Sequence, residues 1–374
     1  MRKIISGISA FILILSLALP YKVSAGGINV SARYAVLISA DSGEVIFEKS
    51  SHEKASMAST TKIMTALLLA EEIEKNGNRE IKITEEMTAV EGSSMGLMPN
   101  DRLYLDGIMT GMLLPSGNDA ANAAALYLGG SQEKFAVMMN ARADEIGMKD
   151  TNFVTPSGLD DEEHYSTAYD MALLGREAIN NDIFSEVCSS NYKKVEFIEP
   201  VKTAEYSNHN KLLNVYEGCT GIKTGFTKKS GRCLVSSAER DGKRLVAVTL
   251  DAPDDWNDHI EMFDYGFSKT TLNKIDNDEE YRIPVVGGEY NFISAHETGE
   301  VSFTVYGENG AEIEKKIYLP MFLYASVKAD EAIGRVVYKV NGKTIGTRYV
   351  VTSEGTAYTE KKSIWDKFFK KDTG

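Results

Sequence analysis

The sequence contains few of the residues that form disulfide scaffolds or zinc centres. It has three cysteines and five histidines among 374 residues. Three cysteines are too few for a disulfide framework, and their odd number leaves at least one unpaired within the chain. The histidines form no His-Glu-x-x-His or comparable pair, which argues against a zinc hydrolase. We therefore expect no bound metal and no cofactor.

Basic residues are also fewer than acidic residues. The chain has 41 lysines and arginines against 54 aspartates and glutamates, which gives a net charge of −13. Nucleic acids are bound mainly through basic patches that contact phosphates. An acidic chain of this kind is therefore not expected to have a nucleic-acid partner.

Long apolar runs are absent except near the start of the chain. Two basic residues precede an apolar run over residues 4–19, and the small residues Val23-Ser24-Ala25 follow. This arrangement predicts a signal peptide over residues 1–25 and an exported protein. Cleavage would remove three basic residues and no acid, which moves the net charge to −16. The alternative is a retained membrane anchor, for which the apolar run is short.

Hydrophobic periodicity predicts an α+β arrangement in the first part of the chain. Residues 34–48 predict two short strands around the turn Asp41-Ser42-Gly43. Helices are predicted to begin near Ser59 and to cover residues 118–128, 131–147, 166–180 and 256–267, and strands to cover residues 220–226, 233–238 and 244–250. Strands at both ends with helices between them indicate one antiparallel sheet that the N-terminal hairpin closes.

The last part of the chain has a different pattern. Residues 270–282 are polar and acidic, which indicates a linker. Apolar and polar residues alternate over 301–305, and Asn341-Gly342 is a strong signal for a two-residue hairpin. We therefore expect a small all-β domain over residues 283–357.

The first long helix begins with a serine and a lysine three residues apart. This spacing places Lys62 on the same helical face as Ser59, where a partly buried amine with a lowered pKa can take the serine proton. Free backbone N–H groups at the helix start can polarise a carbonyl. The alternative is that Ser59 only caps the helix. The motif alone decides nothing, because the same spacing also occurs at Ser51, Ser131 and Ser190.

Two further motifs accompany Ser59. Ser116-Gly117-Asn118 precedes an alanine-rich helix, and Lys223-Thr224-Gly225 lies on a predicted strand. A glycine at position 225 lets a substrate backbone approach the strand edge. Taken singly, these residues are more simply explained as a turn serine, a surface lysine and a strand-ending glycine. The ordered set, with each motif on the expected kind of element, indicates instead a serine nucleophile with its partners.

This set resembles that of the penicillin-binding proteins and serine β-lactamases. More narrowly, the chain resembles the low-molecular-weight D-alanyl-D-alanine carboxypeptidases of serine peptidase family S11. The similarity extends over LLPSGNDAANAAA (113–125), YSTAYDMALL (165–174) and GIKTGFTKKSGRCLVSSAER (221–240). It implies a β-lactamase/transpeptidase-like α+β catalytic domain over residues 26–275, an antiparallel sheet with helices, followed by the small all-β domain.

The resemblance implies a function in the cell wall. Ser59 would attack the carbonyl of the penultimate D-Ala of a peptidoglycan stem peptide, and Lys62 would accept its proton. Ser116 would relay a proton to the departing D-Ala, and water would hydrolyse the acyl-enzyme. The same serine would bind penicillin and other β-lactams covalently. We therefore expect an extracytoplasmic carboxypeptidase of peptidoglycan synthesis, at the cell wall or the outer face of the cytoplasmic membrane.

The resemblance also implies the substrate-binding residues. Asn118 would hydrogen-bond the peptide part of the substrate. Lys223 would keep the site electropositive, and Thr224 would hold the terminal carboxylate. Gly225 would let the substrate lie along the strand, and the backbone N–H groups of Phe226 and the nucleophile would form the oxyanion hole.

One position departs from the pattern of the family. Many relatives carry an arginine about ten residues before an aromatic-Gly-Phe sequence, here Tyr265-Gly266-Phe267, and it helps to bind the substrate carboxylate. This chain has Asp255 there, and no lysine or arginine lies between Leu245 and Phe267. The carboxylate would then be bound by Lys223, by Thr224 or by another residue such as His259. The alternative is that this loop is simply reshaped.

The C-terminal residues 358–374 combine lysines with apolar side chains. On a helix, Ile364, Trp365, Phe368 and Phe369 would share one broad face. Such a helix would bind an anionic membrane surface, with residues 361–374 as the anchor. The alternative is a solvated tail.

Two other functions fit the same motifs. A class A β-lactamase would need a Glu-x-x-Leu-Asn segment for deacylation, and the chain has none. A non-catalytic peptidoglycan-binding protein of the same fold would be expected to have lost its nucleophile, whereas Ser59 and Lys62 are intact. The carboxypeptidase is therefore the favoured prediction.

Overall fold

The computed structural model describes residues 27–276, 279–307, 312–340 and 342–360. No helix in these ranges is both long and apolar enough to cross a bilayer. The helices are α1 Lys62–Asn76, α2 Glu85–Thr88, α3 Leu105–Leu113, α4 Asn118–Gly129, α5 Gln132–Ile146, α6 Ala168–Ala178, α7 Asp182–Cys188, α8 Leu212–Val215 and α9 Asp255–Lys269.

The strands fall into a central sheet, a small second sheet and a C-terminal β region. They are β1 Tyr34–Ser39, β2 Val45–Lys49, β3 Glu80–Lys82, β4 Arg102–Tyr104, β5 Tyr192–Glu199, β6 Lys202–Ser207, β7 Cys219–Thr227, β8 Gly231–Arg240, β9 Lys243–Leu250, β10 Thr270–Lys274, β11 Glu280–Val286, β12 Phe292–Thr298, β13 Ser302–Tyr306, β14 Ile313–Tyr318, β15 Leu323–Tyr324, β16 Ala332–Val340 and β17 Lys343–Thr352.

The central sheet has the order β2-β1-β9-β8-β7 with antiparallel neighbours throughout. This confirms the predicted sheet closed by the N-terminal hairpin. Its side chains alternate between two cores, as the two-residue period of a strand requires. Val36 and Ile38 face the core that contains α1, α3 and α4, whereas Ala35 and Leu37 face the core under α9. The sheet is thus covered on both faces.

Helix α1 lies in the centre of the first core, and the candidate nucleophile Ser59 lies in the turn directly before it. Its residues Ala66, Leu67 and Leu69 have almost no exposed surface. The alanines of α4 are equally buried, and their small side chains let α4 approach α1 closely. The interior position of α1 explains why a lysine in its first turn is removed from water.

A second sheet, with the order β3-β4-β5-β6, has no counterpart among the predicted elements. Its strands are short or polar: β6 contains no fully buried side chain, and β3 and β4 have three residues each. Such strands give a weak periodic signal, because only single residues such as Leu103, Val195 and Phe197 enter the core.

In the described residues from 280 onward the secondary structure is all β, as predicted for residues 283–357. One sheet has the order β14-β16-β17-β12-β11-β15, and Val340 lies opposite Lys343 at the predicted hairpin. The linker predicted for residues 270–282 is wrong at both ends, because Thr270–Lys274 forms β10, which pairs with β13, and Glu280–Val286 forms β11. Its polar composition reflects a partly exposed strand, whose partner lies too far along the chain for a local pattern to reveal it.

Strand β13 also contacts the N-terminal hairpin. The hydroxyls of Ser39 and Ser42 both donate to the carbonyl of Thr304. The Asp41 carboxylate accepts from the backbone N–H and the hydroxyl of Thr304 and from Arg244. The predicted turn at Asp41-Ser42-Gly43 therefore connects the central sheet to the C-terminal β region.

Candidate active site

Ser59 lies in a short 3₁₀ turn, Ala58–Thr61, that leads directly into α1. The backbone of Ala58 has φ +47°, a left-handed conformation that is unfavourable for a residue with a side chain. The Thr61 hydroxyl donates to the Ala58 carbonyl at 2.8 Å and holds the turn closed. The helix is thus predicted correctly, with its first turn wound more tightly than an α-helix.

Lys62 has no exposed surface, and its amine contacts three oxygens. Its Nζ lies 2.9 Å from Oγ of Ser59, 2.7 Å from Oδ1 of Asn118 and 2.8 Å from the carbonyl oxygen of Ser157. Burial, assisted by the charge of Lys223, lowers the pKa of Lys62 well below its usual value. A neutral amine can donate its two hydrogens to Asn118 and Ser157 and direct its lone pair at the Ser59 hydroxyl.

The Ser116-Gly117-Asn118 motif forms the opposite wall. Asn118 is the first residue of α4, and its Nδ2 donates to the Glu91 carbonyl at 2.7 Å, so both ends of its amide are engaged. Ser116 is almost buried and has φ +63°. Within the described part of the chain, its hydroxyl makes no hydrogen bond to Ser59 or Lys62.

The loop beside this wall is held by a buried carboxylate. Asp119 accepts hydrogen bonds from the backbone N–H groups of Met95, Gly96 and Leu97 and from the Ser94 hydroxyl. The backbone N–H of Ala120 is a fifth donor, so hydrogen bonds satisfy this carboxylate, and no basic residue in the described part of the chain forms an ion pair with it. The segment 94–97 is thereby fixed next to the motif.

Strand β7 brings the Lys223-Thr224-Gly225 motif against the nucleophile. A Cβ at Gly225 would lie 3.0 Å from the Ser59 backbone nitrogen, so glycine is needed for the strand to lie this close to the turn. Among the described strands, β7 is at the edge of its sheet, so its outer side can pair with an extended peptide. Thr224 is half-buried, and the Phe226 side chain is exposed.

Lys223 is buried beneath this strand. It is 1% exposed, and its Nζ donates to the carbonyl of Thr224 at 2.9 Å. Burial lowers the pKa of Lys223 to about 7. A nearby substrate anion would raise that pKa and keep the amine charged.

Two groups that hold the site together carry no motif in the sequence. One is the Ser157 carbonyl, which binds Lys62. The other is His164, which is 3% exposed and whose pKa burial lowers to about 4. Its Nδ1 accepts from the backbone N–H of Val154 at 2.9 Å, and its Nε2–H donates to the Thr61 hydroxyl at 2.8 Å. A neutral His164 thus connects the loop that carries Ser157 to the nucleophile turn.

The structure corrects the suggestion that His259 binds the substrate carboxylate. His259 has no exposed surface, and its ring nitrogens contact the hydroxyls of Ser236 and Thr249. Burial lowers its pKa to about 3, so the ring is neutral. It lies in the core under α9, where it cannot meet substrate.

Asp255 is instead the partner of an arginine on the strand next to β7. It accepts from Nε and Nη2 of Arg232 at 2.9 and 2.7 Å. Arg232 lies opposite Phe226 in the pairing of β8 with β7, and its side chain is 41% exposed. The chain therefore has an arginine beside the motif strand, although not at the position that many relatives use.

Taken together, these contacts define a class of protein. A buried lysine amine faces a serine hydroxyl at a helix start, and an edge strand with a second buried lysine lies against the same turn. This is the arrangement of a serine acyl-transfer enzyme in which lysine takes the place of the usual histidine base.

Comparison with known proteins identifies the family. Residues 21–254 match the family model of the S11 peptidases, described as D-alanyl-D-alanine carboxypeptidase, and residues 267–357 match that of the C-terminal domain of penicillin-binding protein 5. The chain belongs to the S11 family of D-alanyl-D-alanine carboxypeptidases and is a serine hydrolase with that activity. The predicted family, enzyme class and function are thus confirmed.

Individual relatives align with this chain over most of their length. D-alanyl-D-alanine carboxypeptidase DacF of Bacillus subtilis is 31% identical, over 92% of this chain and 89% of the relative. DacC of Escherichia coli is 32% identical, over 87% and 84%. The solved structure of penicillin-binding protein 5 from Haemophilus influenzae covers 88% of this chain and 99% of its own, with 25% identity and a TM-score of 0.64. The predicted fold, an α+β catalytic domain followed by an all-β domain, is confirmed.

Proposed function

We propose that the enzyme removes the terminal D-Ala of a peptidoglycan stem peptide through an acyl-enzyme on Ser59. The observation that carries this proposal is the contact between the buried Lys62 amine and the Ser59 hydroxyl at 2.9 Å. The other three serines with Ser-x-x-Lys spacing have different contacts. Ser51 donates to Glu48, Ser131 caps α5, and Ser190 donates to a helix carbonyl.

In the acylation step, Oγ of Ser59 attacks the carbonyl carbon of the penultimate D-Ala, and the hydroxyl proton passes to Nζ of Lys62. The backbone N–H groups of Ser59 and Phe226 stabilise the oxyanion. The C–N bond then breaks, and the proton reaches the departing amine through Ser116. A water molecule gives a proton to Lys62 and attacks the resulting ester. That proton passes on to Oγ of Ser59 as the ester bond breaks, and the shortened peptide is released. Asn118 orients the peptide part of the substrate.

The terminal carboxylate is bound, in this proposal, by Lys223, Thr224 and Arg232. Thr224 lies opposite Leu234, two residues from Arg232 on β8, so Thr224 and Arg232 project from the same face of the sheet as diagonal neighbours. A long side chain can span that separation. Asp255 orients the guanidinium while leaving it partly exposed.

The carboxylate proposal predicts a selective loss of activity. Thr224→Ala and Arg232→Gln should each lower kcat/KM about 10- to 100-fold on a D-Ala-D-Ala peptide with a free carboxylate, because a charge-assisted hydrogen bond is lost. Hydrolysis of the amidated peptide should change little. Arg240→Gln, at the far end of β8, is the matched control. Equal losses on both peptides would assign carboxylate binding to other groups.

We further propose that the enzyme acts outside the cytoplasm, after removal of a signal peptide over residues 1–25. The catalytic domain would then comprise residues 26–275 and the C-terminal β domain residues 283–357. The suggested membrane anchor, residues 361–374, lies outside the described residues, as does the signal peptide.

Penicillin labelling tests the nucleophile directly. Intact-protein mass spectrometry of the mature enzyme should show one covalent adduct, which is absent in Ser59→Ala. Ser51→Ala, which changes a serine with the same Ser-x-x-Lys spacing, should keep the adduct. An adduct that persists in Ser59→Ala would place the nucleophile elsewhere.

A further inference from the structure

The loop that carries Ser157 lies directly against the nucleophile turn. Its Ser157 carbonyl accepts from the Lys62 amine at 2.8 Å. A Cβ at the next residue, Gly158, would lie 1.9 Å from the Ala58 carbonyl oxygen, so glycine is needed for the loop to come this close. The surroundings of the Lys62 amine therefore depend on where this loop is held.

His164 connects the loop to the turn in one defined protonation state. The Thr61 hydroxyl donates its single hydrogen to the Ala58 carbonyl, so it accepts from His164, and Nε2 carries the ring hydrogen. Nδ1 accepts from the backbone N–H groups of Val154 and Thr155 at 2.9 and 3.3 Å. Partners on both sides thus fix one neutral tautomer. This chain of hydrogen bonds from Val154 through His164 to Thr61 is named the His164 link below.

The surroundings of His164 keep this state at neutral pH. The ring is 3% exposed and packs edge-on against Phe153, with 6.0 Å between the ring centres. Burial lowers the pKa of His164 to about 4, although the charges of Asp161 and Asp160 raise it and that of Lys229 lowers it further. A protonated ring would point an N–H at a backbone N–H and break the link.

We propose that His164 is a positioning residue for the acylation step, which holds the Ser157 carbonyl against the Lys62 amine and keeps water away from that amine. His164 is buried and acts through Lys62 rather than on substrate. This inference rests on the proposed function, because it takes Lys62 as the base that receives the Ser59 proton. Loss of the link should therefore slow the chemistry more than it weakens binding.

Two substitutions cut the link at opposite ends. His164→Gln can still donate to Thr61 but has no acceptor for the Val154 N–H, whereas His164→Asn keeps an acceptor there and is too short to reach Thr61. In the mature enzyme, each should lower kcat on a soluble D-Ala-D-Ala peptide about 10- to 100-fold, because a small displacement of a catalytic group is costly. KM should change less than about threefold, since the substrate contacts on β7 are untouched.

The pH profile supplies a readout that lower stability alone does not change. The acid limb of kcat/KM reports the base that must be neutral in the free enzyme. Burial is the main cause of the lowered pKa of Lys62, while the charge of Lys223 lowers it further and that of Asp119 raises it. Water that enters beside Lys62 would raise this pKa towards its ordinary value, so the acid limb of both variants should move to higher pH by about one pH unit.

His259→Gln is the matched control for the histidine. His259 is also fully buried and neutral, and its ring also has two hydrogen-bond partners, the hydroxyls of Ser236 and Thr249. It lies in the core under α9, away from Lys62. The variant should lower the free energy of unfolding but leave kcat and the acid limb unchanged.

Thr61→Val cuts the link from the side of the turn and gives the same test if the His164 variants do not fold. Thr60→Val is its control, because both hydroxyls donate to a carbonyl three residues earlier, but the hydrogen bond to His164 comes from Thr61. Thr61→Val should move the acid limb to higher pH, and Thr60→Val should not.

An acid limb at the wild-type pH in the folded variants of His164 and in Thr61→Val would overturn the inference. An equal movement in His259→Gln or Thr60→Val would also overturn it, because the effect would then be general. In either case, penicillin labelling that still depends on Ser59 and Lys62 would show that the proposed function itself holds.

Discussion

At the scale of single residues, Lys62 combines complete burial with three oxygen contacts. Replacing it by methionine keeps most of the side-chain volume and removes the lone pair. Lys62→Met should therefore fold and lose about 10²- to 10⁴-fold in the rate of acylation by penicillin, the usual contribution of a general base. Stopped-flow or gel-based labelling measures this rate. Lys75→Met, an exposed change on the same helix, should label normally, and near-native labelling of Lys62→Met would mean that another group takes the proton.

Lys223 should reduce stability while it supports activity. Its pKa is about 7 in the folded protein and about 10.4 in the unfolded chain, so the unfolded state binds more protons between these values. The contribution of Lys223 should therefore make the free energy of unfolding rise with pH from about 7 towards 10. Below pH 7 the lysine is protonated in both states, and its full burial cost opposes folding.

The corresponding variant is Lys223→Met. It should raise the free energy of unfolding by about 1 to 4 kcal/mol at pH 7, because a buried charge is replaced by an apolar group of similar size, and it should abolish carboxypeptidase activity. Urea denaturation at pH 7 and pH 9 measures the effect, and the gain should be smaller at pH 9. Lys228→Met, in the exposed turn after β7, is the control. A loss of stability in Lys223→Met would show that the amine makes contacts worth more than its desolvation.

At the scale of secondary-structure elements, the site depends on how closely β7 approaches the nucleophile turn. Gly225→Ala places a methyl group 3.0 Å from the Ser59 nitrogen and 3.1 Å from the Thr60 nitrogen. The strand and the turn must separate by a few tenths of an ångström, which would disturb the backbone N–H groups that we propose bind the oxyanion. We expect the acylation rate to fall at least about tenfold, since loss of one oxyanion donor costs 10²- to 10³-fold.

Labelling kinetics together with a denaturation curve test this prediction. Val248→Ala on β9 is the control. It should lower the free energy of unfolding about as much as Gly225→Ala does, through lost packing in the same sheet, but it should leave the acylation rate unchanged. If Gly225→Ala labels as fast as the wild type, the close approach of β7 is not needed for catalysis.

The elements also show what the sequence could and could not reveal. Ser59 and Lys62 lie in one turn, and the other two motifs are tripeptides, so local spacing was enough to find them. The Ser157 carbonyl contacts a lysine 95 residues earlier, and His164 contacts a threonine 103 residues earlier. Such contacts depend on the tertiary fold.

Arg232 illustrates the same limit. Its position beside the motif strand follows from the pairing of β8 with β7 and from its contact with Asp255. In the sequence, Asp255 indicated only that the arginine of many relatives is missing. The polar strand β10 was hidden for a related reason, because its pairing with β13 spans about thirty residues of chain. Periodicity finds elements that bury their own apolar face. It does not find elements that are stabilised mainly by a distant partner.

At the scale of the whole molecule, the two regions of the chain are joined by polar contacts. Asp41 is held between Arg244 of the central sheet and Thr304 of β13, and its carboxylate is largely buried. Buried hydrogen bonds of this kind fix one relative arrangement, because breaking them leaves a charged group without partners. The C-terminal β region is therefore positioned relative to the active site by the same hairpin that closes the catalytic sheet.

The charge of the molecule is also unevenly distributed. The chain carries −13 overall, but residues 361–371 contain five lysines among Ile364, Trp365, Phe368 and Phe369. An acidic body is repelled by an anionic bilayer, so the proposed anchor would supply attraction through this segment. Each lysine near such a surface contributes about 1 kcal/mol, and the apolar side chains add to it.

Deleting residues 361–374 should therefore release the mature protein from vesicles that contain anionic lipid. Carboxypeptidase activity on a soluble peptide should remain, because Ser59, Lys62 and Lys223 all lie in the catalytic part of the chain. Co-sedimentation of the full-length and truncated proteins measures binding, and rising salt should weaken the binding of the full-length protein because lysine charges are screened. A variant with Trp365, Phe368 and Phe369 changed to serine keeps every lysine and separates the two contributions. It should bind more weakly than the full-length protein, because only the electrostatic part of the attraction is left. Equal sedimentation of full-length and truncated proteins, or none by either, would leave the segment without a role at the membrane.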